Sequence, residues 1–327
     1  MSASDIDSLL PRLDALRRAL AHAVVGQDTV VEQLLIGLLA GGHCLLEGAP
    51  GLGKTLLVRS LGQALELKFR RVQFTPDLMP SDILGTELLE EDHGTGHRHF
   101  RFQQGPVFTN LLLADELNRT PPKTQAALLE AMQEHTVSHA GTTRELPAPF
   151  FVLATQNPIE QAGTYPLPEA QLDRFLLHVL VDYPSEEEEC RILEQTTGAA
   201  PAVVPKVMDA EAVLALQAAV RQVHMGPDVL AWITRLVRAS RPGAEASAVI
   251  NQWVKWGAGP RAGQSLVLAA KARALLHGRF AATREDVQAL AAPVMRHRLL
   301  LSFAAEAEQK RADDVVAALL QAVPFPG

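Results

Sequence analysis

Cysteine is scarce in this chain, which has 2 cysteines among its 327 residues. Neither Cys44 nor Cys190 lies in a spacing typical of a metal cluster, and so few cysteines exclude a fold held together by several disulfides. The reducing cytoplasm is therefore the expected compartment.

A strong excess of positive charge is also missing, because the formal net charge is -7. This value argues against wholesale coating of duplex nucleic acid or of an anionic membrane, although it leaves a local basic surface open. We expect no stable complex with nucleic acid.

Long hydrophobic runs are absent as well. A bilayer-spanning helix needs about 20 consecutive apolar residues, and the nearest stretch, 34–46, is broken by Gly41, Gly42 and His43. The first seven residues are acidic, whereas a secretory signal is basic and then apolar. We expect a soluble protein without membrane insertion.

What the chain does have is the composition of an ordinary globular protein. Hydrophobic residues make up 47% and charged residues 20%, which is too little charge for a disordered chain. A chain of this length is long for a single core, so two packed units are expected.

The most informative stretch is 48–55, which matches Gly-x-x-x-x-Gly-Lys-Thr and follows an apolar run at 44–46. Glycines let successive backbone N–H groups turn inward, and together with the start of a helix they form an anion site. Lys54 is expected to reach the β and γ phosphates, and the Thr55 hydroxyl to hold Mg²⁺. The predicted nucleotide contacts are Gly48, Ala49, Pro50, Gly51, Leu52, Gly53, Lys54, Thr55 and Leu56. The alternative is a glycine-rich turn that happens to precede a helix.

Hydrophobic periodicity organises the rest of the chain. Two helices precede the loop, and between them Val24 and Val25 are a plausible apolar wall for a nucleotide base. Apolar strands then alternate with helices up to about residue 181, which is the sign of a parallel sheet covered on both faces. From 184 onward only helices are expected, at about 185–197, 209–223, 227–240, 260–277, 283–300 and 304–322.

Two carboxylates follow the apolar strand 111–114 and therefore lie at the carboxyl edge of the predicted sheet. Asp115 is expected to hold Mg²⁺ through its water shell. Glu116 is expected to accept a proton from the attacking water or to orient it. The alternative is a buried strand with solvated acidic ends.

Asn157 ends the next strand, where a neutral amide can orient water without adding charge beside a triphosphate. A fixed guanidinium best meets the charge that develops during phosphoryl transfer. Arg119, Arg174 and Arg261 are candidates by position, and spacing alone does not choose among them.

Taken together, these stretches resemble the AAA+ ATPases, and within them the MoxR family. The resemblance is carried by Val-Val-Gly-Gln at 24–27, the phosphate loop, Asp-Glu-Leu-Asn-Arg at 115–119, Gln-Ala-Ala-Leu-Leu-Glu-Ala-Met at 125–132, Ala-Thr-Gln-Asn-Pro at 154–158 and Tyr-Pro-Leu-Pro-Glu-Ala-Gln-Leu-Asp-Arg-Phe at 165–175. The resemblance extends into the second part of the chain as far as Arg261. One departure lies two residues earlier, where Gly259 stands at a position at which relatives tend to have serine.

The resemblance implies an α/β P-loop NTPase base at 1–183, with a five-stranded parallel sheet sandwiched by helices, and an all-helical lid at 184–327. Hairpin insertions are implied near 85–102 and 135–146. It also implies a ring, usually a hexamer, with ATP and Mg²⁺ held between subunits. Arg174 then resembles the arginine finger supplied to a neighbour, Asn157 the first sensor, Arg261 the second sensor of the lid, and Arg119 a residue acting across the interface.

Family members are regarded as chaperone-like ATPases that remodel or activate other proteins, often with a partner bearing a von Willebrand factor A domain. Such a partner would be a separate chain. Two other functions stay open: a ring motor on nucleic acid, for which Arg98 and Arg101 beside Phe100 and Phe102 could suit a strand, and an ATP-dependent switch with little turnover. A GTPase is disfavoured because no Asn-Lys-x-Asp motif occurs.

Overall fold

The computed structural model of this chain describes residues 3–49, 51–91, 98–157, 163–197 and 204–325. Helices and strands alternate in the first part of the chain, in the order α1 Ala3–Ala23, α2 Asp28–Leu39, β1 Cys44–Gly48, α3 Lys54–Ala64, β2 Phe69–Gln73, α4 Pro80–Leu84, β3 Gly85–Glu91, β4 Arg98–Gln104, β5 Leu111–Asp115, α5 Pro122–Glu134, β6 Thr136–His139, β7 Thr142–Glu145, β8 Phe151–Gln156, α6 Glu169–Leu172 and β9 Leu177–Val181.

Five of these strands form one parallel sheet in the order β2-β5-β8-β1-β9. The central strands are apolar throughout because both faces of the sheet are covered; in β5, for example, residues 111–114 are all fully buried. The predicted α/β fold with a five-stranded parallel sheet is confirmed. All five strands end at the same edge, where β1 runs into the phosphate loop.

Gly48 is the last residue of β1, and the packing there requires a glycine. A Cβ added at this position would lie 2.5 Å from the carbonyl oxygen of Val181 on the neighbouring strand β9. The loop therefore starts from a point where two strands approach each other too closely for any side chain.

Two antiparallel hairpins extend from the sheet region. The first pairs β3 with β4, from Gly85 opposite Gln104 to Glu91 opposite Arg98, and thus ends two residues beyond the expected Phe102. The second pairs β6 with β7. The hairpins contact each other, since the Arg144 guanidinium carbon lies 4.0 Å from the Phe102 ring centroid.

The second part of the chain is mainly helical. Its elements are α7 Glu186–Thr197, α8 Ala210–Gln222, β10 His224–Met225, α9 Pro227–Ala239, α10 Ala248–Trp253, β11 Val254–Trp256, α11 Pro260–Leu276, β12 Ala281–Ala282, α12 Arg284–Met295, β13 Leu300–Leu301, α13 Phe303–Ala307 and α14 Ala312–Ala322. At the start of α7, the Ser185 hydroxyl and backbone N–H both donate to the Glu188 carboxylate, at 2.9 and 2.8 Å, which caps the first turn of the helix.

Three expectations for this part are wrong in detail. Short strands occur where only helices were predicted: β10 pairs with β12, and β11 with β13. The helix expected at 283–300 ends at Met295, because the chain turns through a 3₁₀ segment into β13. The helix expected at 304–322 is divided, since Gln309 has a left-handed φ of 55° and a new helix starts after Arg311.

The apolar core is continuous between the two parts of the chain. One buried cluster includes Leu34 of α2, Leu216 of α8 and Leu266 of α11, and a second cluster lies on the other face of the sheet. The side-chain amide of Gln217 also donates to the Leu38 carbonyl at 2.7 Å. Within the described ranges, no helix has the length and apolarity needed to cross a membrane.

Candidate nucleotide-binding site

The phosphate loop connects the buried end of β1 to the first turn of α3. Gly51 and Gly53 have left-handed φ angles of 85° and 72°, and open space surrounds the place where each Cβ would stand. Left-handed glycines just before a helix start form the kind of backbone arrangement that binds phosphates. Pro50 lies outside the described residues. The Gln27 amide fastens the loop by donating to the Leu52 carbonyl at 2.6 Å.

Lys54 lies across the mouth of this loop. Its Nζ donates to the Gly48 carbonyl at 2.6 Å, so the side chain folds back over the loop. Partial burial lowers the pKa of Lys54, while the carboxylates of Asp115, Glu116 and Glu47 act in the opposite direction. The ammonium thus stands between the loop and the acidic pair.

A cleft of about 320 Å³ opens beside the loop at the carboxyl edge of the sheet. Among its lining residues are several that the sequence predicts as nucleotide, metal or catalytic groups: Gly51, Gly53, Lys54, Thr55, Asp115, Glu116 and Asn157. Asn157 is buried and follows directly after β8. These residues come from three separate segments, which the parallel sheet brings to one edge.

Hydrogen bonds hold Asp115 on both sides. The Thr155 hydroxyl donates to its Oδ1 at 2.6 Å, and Nη2 of Arg71 donates to its Oδ2 at 2.6 Å. The carboxylate is therefore oriented by strands β8 and β2 before any metal arrives. Oriented carboxylates of this kind are typical of metal sites.

Glu116 is oriented by its backbone and by two side chains. It has a left-handed φ of 57°, and its backbone N–H donates to the Thr155 hydroxyl at 2.9 Å. Its Oε2 accepts from Gln73 at 2.7 Å and pairs with Nη1 of Arg119 at 3.1 Å. The carboxylate is thus fixed in the cleft beside Lys54.

The donor set fits a magnesium–triphosphate complex. Thr55 at the start of α3 and Asp115 at the end of β5 line the same cleft, and they offer a hydroxyl and a carboxylate oxygen, which are ligands that Mg²⁺ accepts. The glycine cradle supplies N–H groups and Lys54 a positive charge for phosphate.

An apolar cleft of about 470 Å³ adjoins the loop on its other side. Four predicted contacts line it, Val24, Val25, Leu52 and Leu56, and so do Gly51 and Gly53. Tyr183, Pro184 and Leu193 complete the apolar wall. Because this cleft shares glycines with the phosphate cradle, it is placed to take the base of a nucleotide bound there.

Other predicted residues do not line either cleft. Gly48 and Ala49 are buried where the loop begins, and Arg119 reaches the site through Glu116. Arg174 is half-buried and lies two residues after the end of α6, and its side chain forms no hydrogen bond or ion pair within the described part of the chain. Arg261 at the start of α11 pairs with Asp173 at 3.4 Å.

The sequence analysis did not predict Arg71, Gln73 and Thr155 as lining residues of the cleft that contains Asp115 and Glu116. A signal existed for two of them: Gln73 ends a predicted strand, and Thr155 lies near the end of another, so both belong at the carboxyl edge. Arg71 lies two residues earlier, and only the register that sets β2 beside β5 brings it to Asp115.

Comparison with known proteins agrees with this geometry. Residues 43–177 match the sequence profile of the ATPase family associated with various cellular activities (AAA), and 246–319 match the AAA lid domain. The fold and the site thus define an AAA-type ATPase with a lid.

Similarity to individual proteins shows which family within this class the chain belongs to. The chain is 42% identical to the chaperone MoxR1 of Mycobacterium tuberculosis, over 98% of this chain and 85% of that protein. It is 34% identical to the MoxR protein of Paracoccus denitrificans, over 99% of both. A crystal structure of a Cytophaga hutchinsonii protein assigned as an ATPase superposes with a TM-score of 0.92 at 38% identity, covering 99% of this chain and 98% of that one. The chain belongs to the MoxR family of AAA ATPases.

Proposed function

We propose that this protein binds ATP with Mg²⁺ and hydrolyses it to ADP and phosphate in order to remodel or activate a partner protein. One observation carries the proposal: Lys54, Thr55, Asp115, Glu116 and Asn157 line a single cleft beside the glycine cradle. This set supplies phosphate binding, metal binding, a proton acceptor and a polar group for the attacking water.

In this proposal Glu116 accepts the proton of the water that attacks the terminal phosphate, or orients that water. Gln73 and Arg119 hold its carboxylate in one position, so little reorganisation is needed during the reaction. Asn157 orients the water without adding negative charge. When bound, Mg²⁺ would be held by Thr55 and Asp115 and would neutralise charge on the phosphates.

We propose further that the site is completed by a neighbouring subunit in a ring, with the hexamer as the expected size. Arg174 supports this idea, because its half-exposed side chain lies outside both clefts of its own chain. It is assigned as the finger that meets a neighbour's ATP, and Arg119 as a second residue near that interface. Arg261 is assigned as the lid sensor; in this structure its guanidinium is held by Asp173.

The proposed division of the chain is a nucleotide-binding base at 1–183 and a lid at 184–327, with the two hairpins directed at a client or at the ring's pore. Chaperone-type activity is supported by the name of the relative MoxR1. A separate partner with a von Willebrand factor A domain and a cytoplasmic location stay predictions of the sequence.

A motor on nucleic acid is less well supported. The hairpin arginines are neutralised, because Arg98 pairs with Glu91 at 2.9 Å and Arg101 with Glu90 at 3.3 Å. An ATP switch with little turnover is also less well supported, because two side chains hold the expected proton acceptor in the cleft.

The deciding experiment is the substitution Glu116→Gln. We expect nucleotide affinity to be retained and the turnover rate to fall by about 10²-fold or more. Unchanged turnover would contradict the assignment of Glu116. Proteins that co-purify with this trapped form are candidate clients, and Glu130→Gln, on helix α5 outside the cleft, is the matched control.

The composite site needs a second test. Arg174→Ala subunits are mixed in equal amounts with Glu116→Gln subunits, each inactive alone. Random assembly lets about a quarter of the sites combine an intact Glu116 with an intact Arg174 from the neighbour. We expect recovery to about that fraction of the wild-type rate, and no recovery would contradict a finger acting in trans.

A further inference from the structure

Arg298 is a buried arginine in the 3₁₀ turn after α12, and its side chain is 2% exposed. A guanidinium is rarely buried unless most of its donors are bonded. Here Nε donates to Oδ1 of Asp173 at 2.7 Å, and other donors reach the side chain of Ser265 and the carbonyls of Val294 and Leu176.

One nitrogen of this guanidinium binds the backbone on both sides of Arg174. Nη2 of Arg298 donates to the Phe175 carbonyl at 2.7 Å and to the Asp173 carbonyl at 3.2 Å. The backbone on both sides of Arg174 is therefore fixed by a single side chain of the lid. His297 adds a contact of 3.1 Å between its Nε2 and the Phe175 carbonyl.

The Arg174 side chain is left out of this network. The ring of Phe175 is fully buried, whereas Arg174 is half-buried and points to no polar partner among the described residues. The chain thus holds the backbone at Arg174 in place while leaving the guanidinium able to meet a group on another molecule.

Asp173 links this anchor to the predicted lid sensor. Its Oδ1 accepts from the buried Arg298, and its Oδ2 pairs with Arg261 at 3.4 Å. Arg261 starts helix α11, and Arg298 also touches Ser265 one turn further along that helix. The position of α11 is therefore connected to the segment that carries Arg174.

We propose that Arg298 and Asp173 are positioning residues for Arg174, and that through them the lid sets where Arg174 meets the ATP of the neighbouring subunit. This inference rests on the proposed role of Arg174 as a finger in trans. Arginine is required because its planar fork bonds the Asp173 carboxylate and the carbonyls on both sides of Arg174 at once, which a lysine ammonium cannot reproduce in the same geometry.

The test uses Arg298→Lys in the full-length chain. Homogeneous Arg298→Lys protein is expected to lose about tenfold or more in kcat, since small misplacements of a catalytic group are costly, with KM for ATP within about twofold of wild type. Thermal unfolding and nucleotide binding report whether the variant folds. If Arg298→Lys fails to fold, Asp173→Asn takes its place, because this half-exposed side chain keeps its size and loses only its charge.

Mixing separates positioning of the finger from a merely structural role. Arg298→Lys subunits are combined in equal amounts with Glu116→Gln subunits, which have an intact finger and lid. If Arg298 acts through Arg174, the defect lies in the neighbour's site, and turnover recovers to about a quarter of wild type. A mixture that shows only the diluted activity of the Arg298→Lys protein would overturn the inference.

Two further comparisons distinguish failure of this inference from failure of the finger in trans. If the Arg174→Ala mixture recovers and the Arg298→Lys mixture does not, only this inference fails; if neither recovers, the finger in trans fails as well. Arg296→Lys is the matched control, because Arg296 in the same turn binds Asp313 and the His178 carbonyl instead of the Arg174 segment. Its kcat is expected within about twofold of wild type, and a loss equal to that of Arg298→Lys would also count against the inference.

Discussion

The side-chain amide of Gln73 donates a hydrogen bond of 2.7 Å to Oε2 of Glu116. Gln73 ends strand β2 and lies opposite Asp115 in the register with β5. The same amide accepts from Arg71 at 2.8 Å, and Arg71 in turn binds Asp115. The edge strand thus holds both members of the acidic pair.

Removing this amide should disturb the orientation of Glu116. We expect Gln73→Leu to lower kcat about tenfold while nucleotide affinity stays within about twofold, because Glu116, the proposed proton acceptor, loses its fixed position. Steady-state ATPase kinetics measure the change. Gln63→Leu is the control, since Gln63 is an exposed residue of α3 outside the cleft. Equal kcat values for the two variants would show that Gln73 does not position Glu116.

Thr155 orients the proposed metal ligand. Because its hydroxyl donates to Asp115 at 2.6 Å, Thr155→Val should raise the Mg²⁺ concentration needed for half-maximal turnover by about tenfold. A magnesium titration at saturating ATP measures this. Thr155→Ser keeps the hydroxyl and should behave like wild type; a valine variant with an unchanged magnesium requirement would refute the role.

Gly53 has a left-handed backbone, which a residue with a Cβ adopts at a cost of about 1 kcal/mol. We expect Gly53→Ala to lower nucleotide affinity, since the loop must relax away from the phosphate-binding shape. Gly278 is a matched control in the lid, with a similar φ of 70° and equally open surroundings. Gly278→Ala should lose similar stability and bind nucleotide normally, which equilibrium binding and chemical unfolding check together. Equal loss of affinity in both variants would argue against a local effect at the loop.

His43 makes the fold sensitive to acid. Burial, with a smaller effect of His135, lowers the pKa of His43 to about 4, although the hydrogen bond to the Met132 carbonyl raises it. Its Nδ1 accepts from the Val152 N–H at 3.0 Å, so the neutral ring fits both partners with its proton on Nε2.

Between its unfolded pKa and its folded pKa, the unfolded chain binds the proton and the folded chain does not. The contribution of neutral His43 to the free energy of unfolding is therefore fully present above about pH 6.5 and is lost as the pH falls towards about 4. Between pH 7 and pH 5 we expect the free energy of unfolding to fall by about 2 kcal/mol. His43→Gln can keep both hydrogen bonds without a titratable group and should show a shallower dependence in urea unfolding at the two pH values. Identical slopes for wild type and variant would contradict this assignment.

Short-range patterns predicted the α/β base well. Some patterns can be recognised from consecutive residues alone: the apolar runs at 44–46 and 111–114 and the Gly-x-x-x-x-Gly-Lys-Thr loop. The structure has two strands and a helix start at those places. Errors occur where non-local contacts override local propensity. The helix expected at 283–300 stops at Met295 because residues 300–301 pair with β11, about 45 residues earlier in the chain.

The sequence by itself determined the class of site: glycines that allow left-handed backbone, a lysine and threonine at a helix start, and carboxylates and an amide at strand ends. It could do so because each of these chemical requirements is met within one short run of consecutive residues. Only the tertiary structure decided which other side chains hold them. Gln73 and Arg71 reach the acidic pair through strand register, and Arg298 reaches the Arg174 segment across more than a hundred residues. Such contacts depend on how the sheet and the lid pack, because a buried polar group must find its partners wherever the folded chain places them.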